Sequence, residues 1–90
     1  MKNKFILESL SSDLKRVALG LDRGSMTMAD RFTKEALERK KELDLKTIRP
    51  YMGKLLNKME EALKNSKNPE RKAEDALMYS TLIQNYTQNS

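Results

Sequence analysis

The sequence predicts an all-α protein, folded as a small up-and-down bundle of four helices. Apolar residues recur at every third or fourth position, which is the spacing of one face of a helix and not the alternation of a strand. Only 3 Gly and 2 Pro interrupt this pattern. A chain of 90 residues has the length of one small domain. We therefore expect residues 1–90 to form a single helical domain whose helices are joined by short connections.

The first helix is predicted over about residues 4–22. Its apolar residues step by three and four along one stripe, which consists of Leu7, Leu10, Leu14, Val17 and Leu21. Asp13 falls off this stripe. Gly24 follows the last apolar residue, at the place where a left-handed backbone conformation commonly ends a helix. The first helix is thus expected to end just before Gly24.

The second helix is expected to begin at Thr27, whose hydroxyl can cap the first turn, while Asp30 lies favourably near the positive end of the helix dipole. Its apolar stripe consists of Ala29, Phe32, Ala36 and Leu43. Arg39 interrupts the stripe at a position where an apolar side chain is expected. The remaining surface carries acids followed four residues later by bases, which is typical of a solvated helix face.

The position of Pro50 decides the number of helices. Proline destabilises a helix interior by about 3 kcal/mol but is well tolerated in a first turn. We therefore expect a break near residues 44–46, a cap at Asp44 or Thr47, and Pro50 in the first turn of the third helix. The alternative is one kinked helix over residues 27–65, which would reduce the bundle to three helices.

The last two helices are separated by a polar linker over residues 64–69. The third helix has a broad apolar face, formed by Ile48, Met52, Leu55, Leu56, Met59, Ala62 and Leu63. Asn68 is expected to cap the fourth helix, with Pro69 in its first turn. This helix should run to about residue 86, followed by a frayed tail over residues 87–90. Its expected core face consists of Ala73, Ala76, Leu77, Ser80 and Ile83.

The composition removes several classes of chemistry. The chain has no Cys and no His, which excludes disulfides, thiolate metal sites, a Cys nucleophile and the commonest general base. It also has no glycine-rich phosphate loop and no G-x-S-x-G turn, the patterns of nucleotide hydrolases and serine hydrolases. We therefore expect no catalytic residues, no cofactor and no metal, and a protein that is not an enzyme.

The apolar runs of the sequence are short. The longest covers residues 76–79, whereas a transmembrane helix needs about 20 apolar residues. The apolar run near the start, residues 5–7, is also shorter than the core of a signal peptide. We therefore expect a cytoplasmic protein that does not associate with membranes.

The fourth helix is the most informative segment for function, because residues 76–90 include no charged side chain. A surface helix normally carries charge on its outer face. Either this helix lies centrally in the bundle, or one of its faces packs on another chain. The second interpretation predicts a protein–protein interaction module, a regulatory, adaptor or assembly subunit that forms a homodimer. The candidate interface residues are Tyr79, Leu82, Ile83 and Tyr86.

Nucleic-acid binding is the alternative function. The formal net charge is +5, and bases on the second and third helices could contact phosphates without sequence specificity. The candidate residues are Arg39, Lys40, Lys41, Lys46, Arg49, Lys54 and Lys58. Acids are interleaved among these bases, and Tyr51 is the only aromatic residue among them that could stack on an unpaired base. These two features make nucleic-acid binding the weaker prediction.

Overall fold

The structure is a computed structural model that describes residues 2–89, with side chains described for residues 3–89. Its four α-helices are α1 (Lys2–Asp22), α2 (Met26–Glu42), α3 (Pro50–Asn65) and α4 (Pro69–Gln88). A short 3-10 turn, Leu45–Thr47, lies between α2 and α3, and the described residues include no strand. The prediction of a small all-α bundle is confirmed, and the second and third helices are separate.

The start of α1 and the end of α4 meet the connection between α2 and α3 at one end of the bundle. Near the start of α1, the Asn3 amide donates hydrogen bonds to the Asp44 carbonyl at 3.0 Å and to the Thr47 hydroxyl at 2.6 Å. Near the end of α4, the Tyr86 hydroxyl accepts a hydrogen bond from the backbone N–H of Arg49 at 3.3 Å. These contacts fix an up-and-down order in which consecutive helices run antiparallel.

The helices pack with unequal closeness. α1 lies close along both α2 and α4, whereas α3 approaches α2 and α4 at fewer points. The core is formed by apolar side chains of all four helices, and its largest fully buried members are Leu10, Leu14, Val17, Met52, Leu56, Met59 and Ile83. The apolar stripes predicted for the first and third helices therefore face the core.

Small residues let α1 approach its two neighbours. A Cβ atom on Gly20 would lie 2.9 Å from the backbone nitrogen of Ala29, so this contact between α1 and α2 requires glycine. On the other side, the buried hydroxyls of Ser11 and Ser80 lie 2.9 Å apart, and Ser80 also donates to the Ser11 carbonyl at 2.8 Å. The serine pair satisfies its polar atoms locally, which is the condition for burying them at low cost.

The turn between α1 and α2 differs from the prediction at its cap. Gly24 adopts the left-handed conformation, with φ +73°, as the prediction for the end of the first helix requires. The N-cap of α2 is Ser25, whose hydroxyl accepts a hydrogen bond from the Met28 N–H at 3.3 Å. The prediction of Thr27 as the cap is wrong, because α2 begins at Met26 and Thr27 already lies inside its first turn.

The connection between α2 and α3 confirms the position of Pro50 but not the predicted cap. Pro50 is the first residue of α3, and Arg49 precedes it without a side-chain cap. Asp44 caps the short 3-10 turn instead, accepting a hydrogen bond from the Lys46 N–H at 3.1 Å. The predicted cap for α3 at Asp44 or Thr47 is therefore wrong, because Asp44 caps the 3-10 turn, Thr47 is the last residue of that turn, and Arg49 occupies the cap position of α3.

The start of α4 follows the prediction, whereas its end does not. The Asn68 side chain accepts hydrogen bonds from the N–H groups of Glu70 and Arg71 at 2.9 and 3.3 Å, and Pro69 is the first helical residue. α4 continues to Gln88, and Thr87 is buried. Residues 87 and 88 thus belong to the helix and not to the expected tail, while Ser90 lies outside the described residues.

Candidate functional site

The outward side of α4 carries three large apolar side chains. Leu77 and Met78 are each 47% exposed, and Leu82 is 40% exposed. The expected core position of Leu77 is wrong, because α4 is rotated so that Ala76, Ser80 and Ile83 face α1 and the core. We call Leu77, Met78 and Leu82 the outer face of α4.

The four predicted interface residues lie in different environments. Leu82 belongs to the outer face of α4. Tyr79 and Tyr86 are half-buried and pack against the core, and burial raises the pKa of Tyr79, with the nearby Asp75 acting in the same direction. Ile83 is fully buried within the chain and therefore has no surface to offer a partner.

A groove runs between the first part of α3 and the last part of α4. Its volume is about 610 Å³. Tyr51 and Tyr86 meet edge to face in this region, with ring centroids 5.9 Å apart. We call this the α3–α4 groove, and its lining residues are Thr47, Arg49, Tyr51, Met52, Leu55, Leu82, Asn85, Tyr86 and Asn89. The groove exists because α3 packs less closely on its neighbours than α1 does.

The charged side chains in the two chain segments that line this groove are all basic. Residues 45–59 and 76–89 include no acidic side chain. Lys46, Arg49, Lys54 and Lys58 are exposed, and none of them takes part in an ion pair within the part of the chain that the structure describes. Four of the seven predicted nucleic-acid residues are therefore free to meet an anionic partner.

The other three predicted bases are already paired. The Arg39 guanidinium donates to the Asp13 carboxylate at 2.6 Å and so joins α2 to α1. The Lys40 ammonium lies 3.2 Å from Glu60 and joins α2 to α3. Lys41 makes only an exposed pair within α2, at 3.6 Å from Glu38. Arg39 and Lys40 thus hold the bundle together, and phosphate binding would have to compete with these pairs.

Asp13 is a buried charged residue that the sequence pattern does not predict. It falls off the apolar stripe of α1, yet its side chain is only 2% exposed. Burial raises the pKa of the Asp13 carboxyl, and the hydrogen bond from Arg39 opposes this by favouring the charged form. Arg16 adds a longer contact at 3.6 Å. The signal in the sequence was Arg39, an arginine at an apolar position of the second helix.

Glu60 on α3 holds two ammonium groups. Lys40 of α2 and Lys64 of α3 each lie 3.2 Å from one of its carboxylate oxygens. Hydrogen bonds from Lys64 and Lys40 lower the pKa of Glu60 below its usual value. The cluster links α2 to α3, and its two ammonium groups share one carboxylate.

The titratable side chains do not form a metal centre in the region that is described. Among residues with described side chains, no group of three or more His, Cys, Asp or Glu is placed so that it could hold a metal ion. In residues 2–89, none of the helices combines the length and apolar character needed to cross a bilayer.

The chain matches no family model, no curated protein and no solved structure.

Proposed function

We propose that the protein is a non-enzymatic protein–protein interaction module, a regulatory, adaptor or assembly subunit that self-associates through the outer face of α4. The observation that carries this proposal is the exposure of Leu77, Met78 and Leu82 on a helix segment without charge. Adjacent exposed apolar side chains on a small soluble domain are typical of contact surfaces.

The absence of charge on this segment favours a second copy as the partner. Two chains of net charge +5 repel each other, and like charges brought together across an interface are costly. Residues 76–89 add no charge to the contact. An antiparallel pair of α4 helices would place the same side chains on both sides of a two-fold axis, the commonest symmetry of homo-oligomers.

The size of the outer face predicts a weak dimer. Fully burying a leucine or methionine stabilises by about 1.5–3 kcal/mol, so a half-exposed one gains about 1 kcal/mol. Three such side chains on each chain give about 6 kcal/mol, against an association cost of at least about 4 kcal/mol. The difference of at most about 2 kcal/mol gives a dissociation constant in the millimolar range or above, so we expect a weak, reversible dimer that forms only at high protein concentration.

The test is the solution mass by light scattering over a range of protein concentrations. It is run at about 0.1 and 1 M salt, because high salt screens surface charges. The dimer should persist at 1 M salt and be lost in Met78→Lys. Leu19→Lys is the matched control, because Leu19 is similarly exposed, at 41%, but lies on α1 and does not belong to the outer face of α4. A monomer at all concentrations, or equal loss in both variants, would refute self-association through this face.

Nucleic-acid binding stays a second prediction. Lys46, Arg49, Lys54 and Lys58 support it because they are exposed and unpaired within the described residues. The pairing of Arg39 and Lys40 within the bundle counts against it. If four cations contact a single strand, the logarithm of affinity should fall with the logarithm of salt concentration with a slope of about −3.

A further inference from the structure

We propose that the α3–α4 groove binds an acidic amphipathic helix of a different protein. This goes beyond self-association, since it concerns another surface and another partner. Of the lining residues, only Leu82 also belongs to the outer face of α4. The two proposals can therefore fail independently.

The shape and lining of the groove fit apolar anchors of a helix. Leu55, Leu82 and Tyr86 line it, and Tyr51 stands at its edge with 59% of its surface exposed. Its volume of about 610 Å³ lies within the range of about 300–1,000 Å³ that is typical of ligand sites. A groove between two helices is a common receptor for the apolar face of a third helix.

The charge at the groove selects the partner. Positions 51, 54, 55 and 58 are spaced by three and four residues and share one side of α3. Lys54 and Lys58 are therefore neighbours of the groove residue Leu55, and Arg49 lines the groove directly. No acidic residue occurs within residues 45–59 or 76–89, the two segments that include all the lining residues of the groove. The surface thus favours acidic side chains flanking the apolar anchors, and a second copy with its own net charge of +5 is disfavoured.

The aromatic residues favour a helix over a single-stranded nucleic acid. Stacking of successive bases needs several exposed aromatic faces. Tyr86 is half-buried, its hydroxyl is engaged by the Arg49 N–H, and its ring meets Tyr51 edge to face. Only Tyr51 is left to stack, whereas the leucines beside it suit aliphatic anchors.

The experiment measures the binding of a synthetic peptide to the full chain by fluorescence anisotropy. The probe is a labelled 18-residue helical peptide with leucines along one face and glutamates elsewhere. A second peptide has the same composition with the leucines spread around the helix. A labelled oligothymidine of similar charge is the nucleic-acid probe. We expect the amphipathic peptide to bind at least about tenfold tighter than the other two, because only it matches both the apolar lining and the charge.

Two triple variants with the same net charge locate the site. Arg49→Gln, Lys54→Gln and Lys58→Gln together should weaken binding of the amphipathic peptide about tenfold. The control variant combines Arg23→Gln, Lys34→Gln and Lys67→Gln, which are exposed positions elsewhere, and it should weaken binding less than about threefold.

Each contrary result overturns the proposal. Equal affinity for the two peptides would mean that only charge is recognised. Equal weakening in the two triple variants would mean that the groove is not the site. Tighter binding of the oligothymidine would assign the surface to nucleic acid. The Met78→Lys variant should still bind the amphipathic peptide, since Met78 does not line the groove. Loss of the dimer with retained peptide binding therefore separates this proposal from self-association.

Discussion

Replacing Arg39 by methionine should destabilise the bundle strongly, because it leaves the Asp13 carboxylate buried without its main partner. Asp13 is 2% exposed and Arg39 is 38% exposed. Removing one member of a buried ion pair costs about 3–5 kcal/mol. Arg16 remains 3.6 Å from Asp13, and water reaches the Arg39 side. We therefore expect a loss of about 2–3 kcal/mol in the free energy of unfolding.

The assay is urea unfolding at neutral pH, followed by circular dichroism. The dependence of the free energy of unfolding on urea concentration, the m value, is compared for each variant. A loss of this size corresponds to a fall in Tm of about 10–20 °C for a domain of this length. The double variant Asp13→Leu with Arg39→Met should recover to within about 1 kcal/mol of the parent, because an apolar pair replaces both charges. Lys41→Met, which removes only the exposed pair with Glu38, should change stability by less than about 0.5 kcal/mol.

The same variant makes a prediction about pH. Burial raises the pKa of Asp13 in the folded protein, and Arg39 holds that rise in check. Without Arg39 the folded-state pKa of Asp13 rises further. A raised pKa means stability that is fully present below the unfolded pKa and is lost as pH rises through the folded value. The deficit of Arg39→Met should therefore shrink between pH 7 and about pH 4. A deficit below about 1 kcal/mol at pH 7, or a double variant no more stable than the single, would refute this reasoning.

Two further predictions use matched substitutions and the same unfolding assay. Gly53→Ala should stabilise by about 1 kcal/mol, because alanine favours a helix and nothing lies within 4 Å of the added Cβ. Gly20→Ala should instead destabilise by about 1–3 kcal/mol, because its Cβ would meet the backbone of α2 at 2.9 Å. If both substitutions changed the free energy of unfolding in the same direction, the close contact of α1 with α2 would be contradicted. Ser25→Ala should lose about 1 kcal/mol of helix capping, whereas Thr27→Ala should lose almost none. A larger loss of stability in Thr27→Ala than in Ser25→Ala would instead identify Thr27 as the cap.

Local signals in the sequence predicted most of the fold. Helix ends lie as expected at Gly24, at Pro50 and at the pair Asn68 and Pro69. Each of these signals acts through local backbone geometry or hydrogen bonds. The sequence analysis assigned the cap of α2 to Thr27 instead of Ser25, and it assigned Asp44 to α3 instead of the 3-10 turn, because several neighbouring residues can accept the same hydrogen bonds. Only the exact start of the helix decides among them.

The buried pair and the outer face of α4 depend on contacts that no local pattern encodes. Asp13 and Arg39 are 26 positions apart, and an aspartate between apolar positions is ordinarily exposed. Leu77 was misplaced for a different reason. Because α4 has no charge after position 75, nothing in the sequence marks which side of the helix faces water.

The α3–α4 groove shows what the structure adds to the candidate site. The sequence analysis assigned Leu82 and Tyr86 to a protein–protein interface. It assigned Arg49, Lys54 and Lys58 to nucleic-acid binding. The structure places Leu82, Tyr86 and Arg49 along one groove, with the two lysines on the same side of α3 as its apolar lining. This arrangement depends on the distance between α3 and α4, which cannot be predicted from the sequence pattern of either helix.

The most direct test of self-association through the outer face of α4 is oxidative crosslinking. The chain has no cysteine, so Thr81→Cys introduces a single thiol on the exposed side of α4, close to Met78 and Leu82 in the helix. An antiparallel α4 pair should give a crosslinked dimer, and adding Met78→Lys should abolish it. Ser12→Cys, exposed on α1, should not crosslink under the same conditions. Equal crosslinking of the two thiols, or none with Thr81→Cys, would contradict the account.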